Sequence, residues 1–117
     1  KLDVNTSEAK LLKVIEADSE MFKGKAKNKV AKTTLAVSDG VWADASNWLV
    51  PTLFIHGDQD TSTNFENSVS LHKAIGSKDK TLEVYEGGFH ELLNDTIAAK
   101  VEKDLFAWLD ARTPKSK

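Results

Sequence analysis

Two short segments in the second half of the chain have the hydrophobic pattern of β-strands. The first is a continuous apolar run, 52–56, that stops at Gly57, which is typical of a strand buried on both faces. The second is 81–86, where apolar and polar residues alternate before the Gly87-Gly88 pair. The sequence therefore predicts strands at both places.

Helical periodicity separates and follows these strands. Apolar residues at helical spacing predict a helix over 64–75, with Asn64 as its N-cap, and an amphipathic helix over 96–112. Strand, helix, strand and helix joined by short links favour two adjacent parallel strands with a right-handed crossover.

Residues 1–50 have a different pattern, with two helical stretches and no convincing strand. The first stretch starts near Ser7-Glu8, and the second carries Val37 and Val41. Between and within them runs a basic segment, Lys23–Lys32, in which lysines alternate mainly with small residues. Its pattern favours a solvated helix face; the alternative is a basic rim that meets anionic lipid head groups.

Composition narrows the class of protein. The 117 residues are 40% hydrophobic and 29% charged, as in a globular domain, and a net charge of −2 gives no reason to expect nucleic acid as a partner. There is no cysteine, so disulfide and thiolate chemistry are excluded. No apolar run approaches ~18 residues, and Lys1-Leu2-Asp3 does not begin a signal peptide, so a cytoplasmic location is expected.

His90 begins the run HELLN, which ends in asparagine where the zinc-protease signature H-E-x-x-H needs its second histidine. His56 and His72 lack metal-ligand spacing, which excludes a zinc site. The run 58–62 resembles the start of a calcium loop, but Thr63 replaces the required turn glycine. The sequence predicts neither a metal nor any other cofactor.

Asp58 and Asp60 also resemble the D-x-D motif of aspartate-nucleophile phosphatases. That chemistry needs further carboxylates to hold magnesium and a lysine to bind the phosphate. No paired-aspartate motif follows Asp60, so a phosphatase stays the weaker alternative.

Asp60 and His90 follow the two predicted strands at matching positions. If the strands are parallel neighbours, both side chains emerge at the same edge of the sheet, where open α/β sheets carry functional groups. A carboxylate that orients a histidine in this way makes the histidine an effective general base.

The segments VPTLFIHGDQD, SKDKTLEVYEGGFHELLND and DLFAWLDAR resemble the carboxyl-terminal half of an α/β-hydrolase, with the monoacylglycerol lipases and lysophospholipases as the most similar subfamily. The chain order of that family is nucleophilic serine, acid, histidine. The resemblance implies that Asp60, in the pattern H-G-x-x-D, is the acid and that His90 is the base. Asp58 does not occupy the matching position.

LDVNTSEAKLLKVIEADSEMFKGKAKNKVAK has a weaker similarity to the lid of the same family. The resemblance thus implies a cap-derived helical segment at 1–46 and the carboxyl-terminal part of the hydrolase core at 47–117. The expected fold class is α/β: the carboxyl-terminal half of an α/β-hydrolase fold, with two parallel strands and flanking helices, preceded by the cap-derived segment.

The sequence departs from the family because it contains no G-x-S-x-G and no preceding H-G oxyanion segment. Ser62 is the nearest substitute in sequence, but its place on the acid loop favours helix capping or a loop hydrogen bond. We therefore expect the Asp and His of a serine ester hydrolase acting on monoacylglycerol or lysophospholipid, with the serine outside this chain. The chain alone is expected to be inactive.

A two-stranded sheet has two free edges, which tend to pair with another chain. The expected partners are a lipid ester substrate and either the missing amino-terminal half or a second copy of the chain. The alternative function is a non-catalytic, hydrolase-derived binding or assembly module.

Overall fold

The centre of the fold is a two-stranded parallel sheet with helices before, between and after its strands. The structure, a computed structural model, describes residues 6–20 and 28–113. In chain order its elements are α1 (Ala9–Ala17), α2 (Asn28–Asp44), β1 (Thr52–Gly57), α3 (Phe65–Ala74), β2 (Lys80–Tyr85) and α4 (Ala98–Asp110), with single 3-10 turns at Ala45–Asn47 and Leu92–Asn94.

β1 and β2 pair in parallel along their whole lengths. Thr52 lies opposite Lys80 at the start of the register, and Gly57 lies opposite Tyr85 at its end. The predicted parallel strands are therefore confirmed, and α3 forms the connection between them.

Both predicted helices of the second half are also confirmed. The Asn64 side chain accepts the backbone N–H of Glu66 at 2.9 Å, which satisfies one of the free donors at the start of α3. α4 covers Ala98–Asp110, two residues shorter at each end than the predicted 96–112. At its start, residues 96 and 97 belong to a turn and not to the helix.

The core lies between β2 and α4. Val101 is fully buried and packs with Tyr85 and Leu92, while Ile55 and Ile97 contact this cluster from its rim. Because such cores are close-packed, the position of α4 is fixed against the sheet.

The Tyr85 hydroxyl lies at the polar border of this core and donates a hydrogen bond to Asp104 at 3.3 Å. Burial of the phenol, together with the nearby charge of Asp104, raises the pKa of Tyr85 to about 12. The hydroxyl therefore stays neutral and remains a donor throughout the physiological range.

The two helices predicted for the first half are present, but their apolar side chains are poorly covered. Val37 and Leu35 of α2 are 62% and 67% exposed. β1 was expected to be buried on both faces, yet its residues 52–56 are only partly buried. The reason is that a two-stranded sheet covers little of its own surface.

Within the described ranges no helix is long and apolar enough to cross a membrane. Lys23, Lys25 and Lys27 of the basic segment lie outside the described residues, so both the predicted solvated face and its alternative, a basic rim, stay predictions.

Replacing Val101 by alanine should lower the free energy of unfolding by about 2 kcal/mol, since it removes two methyl groups from a closed core and leaves a cavity. Urea denaturation followed by circular dichroism would measure the change. Phe106→Ala on the same helix is the control: this larger side chain is 59% exposed, so its removal should change stability by less than about 0.5 kcal/mol. Equal losses in the two variants would contradict this description of the core.

Candidate active site

The loops that follow β1 and β2 are hydrogen-bonded to each other. The N–H of Asp58 donates to Tyr85 O at 3.1 Å, and the N–H of Gln59 donates to Gly88 O at 2.9 Å. In the reverse direction, the N–H of Gly87 donates to Asp58 Oδ1 at 2.8 Å. These bonds extend the strand pairing into the loops and hold both loops together at the carboxyl end of the sheet.

Two glycines make this close approach feasible. A Cβ on Gly57 would lie 2.1 Å from Gly88 O, so any larger residue would push the loops apart. Gly87 has a φ of 74°, in the left-handed region that favours glycine. The chain can therefore turn sharply after β2.

Asp60 is the most heavily hydrogen-bonded carboxylate of this edge. Its Oδ1 accepts the backbone N–H groups of Ser62 at 2.8 Å and Thr63 at 2.9 Å. Its Oδ2 accepts the Thr63 hydroxyl at 2.7 Å and lies 2.9 Å from His90 Nδ1. The side chain is only 3% exposed, so these partners replace most of its water.

The environment of Asp60 favours the ionised form. Burial by itself would raise the pKa of this carboxyl, but hydrogen bonds from His90, Thr63 and Ser62 outweigh burial and hold the pKa well below its ordinary value of 3.8. Asp60 is thus a fixed negative charge next to an imidazole.

His90 has one nitrogen engaged and the other open. Because Nδ1 faces a carboxylate, it carries the proton when the ring is neutral, which leaves the lone pair on Nε2. Within the described residues Nε2 has no hydrogen-bond partner, and the side chain is 41% exposed. His90 therefore presents a basic nitrogen to a groove whose lining includes Ile55, Gly57 and Leu92.

The Asp60–His90 pair expected from the matched strand ends is therefore formed. It depends on the register, because Gly57 and Tyr85 are directly paired and the two side chains leave the sheet a few residues further on.

His56 is a second imidazole beside Asp60, and sequence reasoning did not assign it there. Its Nε2 lies 3.0 Å from Asp60 Oδ2 and 3.2 Å from Thr63 O, while Nδ1 lies 2.7 Å from Ser68 Oγ. The two nearest groups to Nε2, the Asp60 carboxylate and the Thr63 carbonyl, can only accept, and the Thr63 hydroxyl at 3.4 Å already donates to Asp60. Nε2 therefore carries the proton, and Nδ1 accepts the Ser68 hydroxyl. The four-residue spacing between His56 and Asp60 is the only signal in the sequence that points to this contact.

The other candidate residues have structural contacts. The Asp58 carboxylate accepts Gly87 N–H and the Gln59 side chain, which joins the loops. Ser62 lies in the turn after Asp60 and donates its N–H to that carboxylate. His72 on α3 packs edge-on against Phe54 on β1, with ring centroids 5.8 Å apart.

In the part of the chain that the structure describes, no three His, Cys, Asp or Glu side chains are grouped so that they could hold a metal ion.

Comparisons with known proteins show the family to which the chain is similar. The family model described as "Serine aminopeptidase, S33" matches residues 1–97. Caffeoylshikimate esterase of Arabidopsis thaliana is 30% identical over an alignment of 107 residues that covers 89% of this chain and 32% of that protein. Monoacylglycerol lipase of Mycolicibacterium smegmatis is 25% identical over an alignment of 107 residues that covers 92% of this chain and 38% of that protein.

The fold also matches a solved structure. The monoacylglycerol lipase of Paleococcus ferrophilus superposes with a TM-score of 0.85 at 21% identity, over 96% of this chain and 44% of that chain. The predicted α/β-hydrolase fold is confirmed. The present chain spans between 32% and 38% of the length of the two curated relatives.

The stability that Asp60 contributes should depend on pH. Its pKa is lower in the folded than in the unfolded chain, so the contribution is complete above the ordinary carboxyl pKa and declines as the pH falls below about 4. We expect Asp60→Asn to lower the free energy of unfolding by about 2 kcal/mol at neutral pH, and progressively less in acid. Urea titrations at several pH values would measure the difference.

Asp39→Asn on the exposed surface of α2 is the matched control and should change stability little at any pH. A loss in Asp60→Asn that is independent of pH would contradict the assignment of an ionised, hydrogen-bonded carboxylate.

Proposed function

Because the chain belongs to the α/β-hydrolase family whose model is described as serine aminopeptidase S33, we propose that it supplies two members of a Ser-Asp-His triad, Asp60 as the acid and His90 as the base. The observation that carries the proposal is the 2.9 Å contact between Asp60 Oδ2 and His90 Nδ1, with no partner for His90 Nε2 among the described residues. This arrangement is what a general base needs, because the proton must be taken up by the nitrogen that is not held by the carboxylate.

In the proposed reaction His90 Nε2 accepts the proton of a serine hydroxyl as the serine oxygen attacks the ester carbonyl. The ring becomes an imidazolium, and the adjacent Asp60 charge stabilises it. His90 then donates the proton to the leaving alcohol, and the acyl group stays on the serine. A water molecule next attacks this acyl group while His90 takes its proton. His90 returns the proton to the serine oxygen as the acid is released. The low pKa of Asp60 supports this role, because the carboxylate stays ionised while the ring holds the proton.

The serine is proposed to come from a polypeptide segment other than these 117 residues. No G-x-S-x-G occurs in the sequence, and the chain spans 32% and 38% of its two curated relatives. Ser62 is a poor substitute because it follows Asp60 on the acid loop, and its backbone N–H is directed at that carboxylate. Without the serine and its oxyanion donors, the Asp60–His90 pair has no nucleophile to activate.

We propose a lipid ester, a monoacylglycerol or lysophospholipid, as the substrate. The family description names a peptidase, but one of the two curated relatives is named an esterase and the other a lipase. Residues 1–46 would form the cap-derived segment over residues 47–117 of the core, and its apolar side chains would contact the acyl chain. Lys23–Lys32 would lie on a solvated helix face, and its alternative role is contact with anionic head groups at a membrane surface.

The exposed surface supports a requirement for a polypeptide partner. Val37 and Leu35 of α2 are 62% and 67% exposed, and Trp48 and Leu49, just before β1, are 49% and 70% exposed. Clustered apolar surface of this kind is typical of contact with another polypeptide. The partner would be the serine-bearing segment, or a second copy paired through the free sheet edges.

A non-catalytic module is the second candidate, and the missing serine motif favours it. Two findings disfavour the phosphatase alternative. The chain belongs to an α/β-hydrolase family, and the Asp58 carboxylate accepts the Gly87 N–H.

The chain alone should hydrolyse a monoacylglycerol analogue no faster than free imidazole does, since His90 has no hydroxyl to deprotonate. A fluorogenic ester assay with imidazole at matched concentration would measure this. Turnover by the isolated chain that His90→Ala abolishes would refute the proposal of a divided triad.

Co-expression with an amino-terminal α/β-hydrolase segment that carries G-x-S-x-G should restore esterase activity if the two parts fold together. His90→Ala should then lower kcat by at least about 10³-fold, and Asp60→Asn by a similar factor. His72→Ala, a histidine outside the site, is the matched control and should leave activity unchanged.

Light scattering would show whether the co-expressed species is a one-to-one complex or whether the chain associates with itself. A stable complex without esterase activity would favour the non-catalytic module.

A further inference from the structure

Asp95 is a nearly buried carboxylate to which the proposed mechanism gives no role. It is 6% exposed and follows the 3-10 turn Leu92–Asn94, on the far side of the loop that carries His90. Its Oδ2 accepts the backbone N–H of Phe89 at 3.0 Å, and its Oδ1 accepts the N–H of Thr96 at 2.6 Å. One carboxylate therefore closes the loop across its two ends, next to His90.

The same carboxylate binds the amino-terminal segment. The Ser7 hydroxyl donates to Asp95 Oδ1 and also contacts the Thr96 hydroxyl at 2.8 Å. Beside it, the fully buried Thr6 donates its hydroxyl to Asn94 O at 2.7 Å. These partners are 88 or 89 residues apart in sequence, so they anchor the start of the chain to the His90 loop.

We propose that Asp95 is a positioning residue, which fixes the loop that presents His90 through Phe89 N–H and couples the segment at residues 6–8 to that loop through Ser7. The proposal rests on the proposed function in so far as it treats His90 as the base. Independently of that function, the orientation of His90 depends on the Asp95 carboxylate, which does not contact the His90 side chain.

The donors around Asp95 explain why a carboxylate is needed and an amide is not sufficient. Both backbone partners, Phe89 and Thr96, are N–H donors, one on each oxygen. An asparagine in either orientation would aim its NH₂ group at one of these N–H groups and lose that hydrogen bond. Asp95→Asn therefore keeps the size of the side chain and breaks the closure of the loop.

The electrostatics agree with this description. Burial would raise the pKa of the Asp95 carboxyl, but hydrogen bonds from Ser7, Phe89 and Thr96 lower it below its ordinary value. The group is ionised at neutral pH, and bonds to a charged acceptor are stronger than neutral ones.

The test is nuclear magnetic resonance of the ¹⁵N-labelled 117-residue chain, with and without Asp95→Asn. One readout is the ring-nitrogen spectrum of His90, which reports the tautomer held by Asp60. The other is hydrogen exchange of the Phe89 amide. We expect the variant to shift His90 away from the Nδ1–H tautomer and to exchange the Phe89 amide about tenfold faster or more.

Asp104→Asn is the matched control. It removes a carboxylate that binds Tyr85 and Lys100 on the other side of the core, so it should lower stability without altering His90. A folded Asp95→Asn chain with the wild-type His90 tautomer would overturn the proposal, as would an equal shift of His90 in Asp104→Asn.

Ser7→Ala tests the coupling, and it decides the question if Asp95→Asn fails to fold. It removes the link to the amino-terminal segment but keeps the Phe89 bond. We expect a smaller shift of His90 in the same direction, and an unchanged His90 spectrum would refute the coupling. Neither readout requires ester hydrolysis, so an inactive complemented enzyme would refute the proposed function and leave this inference standing.

Discussion

The parallel pairing of β1 with β2 is the interaction on which the remainder of the structure depends. Its register ends with Gly57 opposite Tyr85, and from that point the two loops continue side by side. The backbone bonds from Asp58 and Gln59 extend the ladder beyond the strands. A slip of one residue would turn every side chain to the other face and separate the two sides of the site.

The second feature is the concentration of donors on Asp60. A nearly buried carboxylate is costly unless its lone pairs are satisfied, and here backbone N–H groups, a hydroxyl and an imidazole all point at it. His56 adds a further imidazole at 3.0 Å. The result is a charge whose position is set by β1 and the loop that follows it, before any substrate or partner is bound.

The amino-terminal half is held in a different way. Its helices bury few apolar side chains, and α2 has most of its surface exposed. What fixes its start is the contact of Thr6 and Ser7 with the loop after His90. The segment is thus joined to the site by buried polar bonds, while its apolar faces remain available to other surfaces.

Local sequence determined the elements and the chemistry of the proposed pair. Asn64 marks the start of α3, Gly87 marks the turn after β2, and the matched strand ends were sufficient to bring Asp60 and His90 together. These features could be predicted because capping, positive φ and strand periodicity each act over a few residues.

Only the tertiary structure decided the contacts of Asp95 with Ser7, the place of His56 beside Asp60, and the exposure of β1 and α2. Residues 88 positions apart have no shared periodicity, so their contact exists only once the chain has closed on itself. The exposure of β1 and α2 likewise depends on which other parts of the chain pack over them. A local pattern of hydrophobic and polar residues does not contain that information.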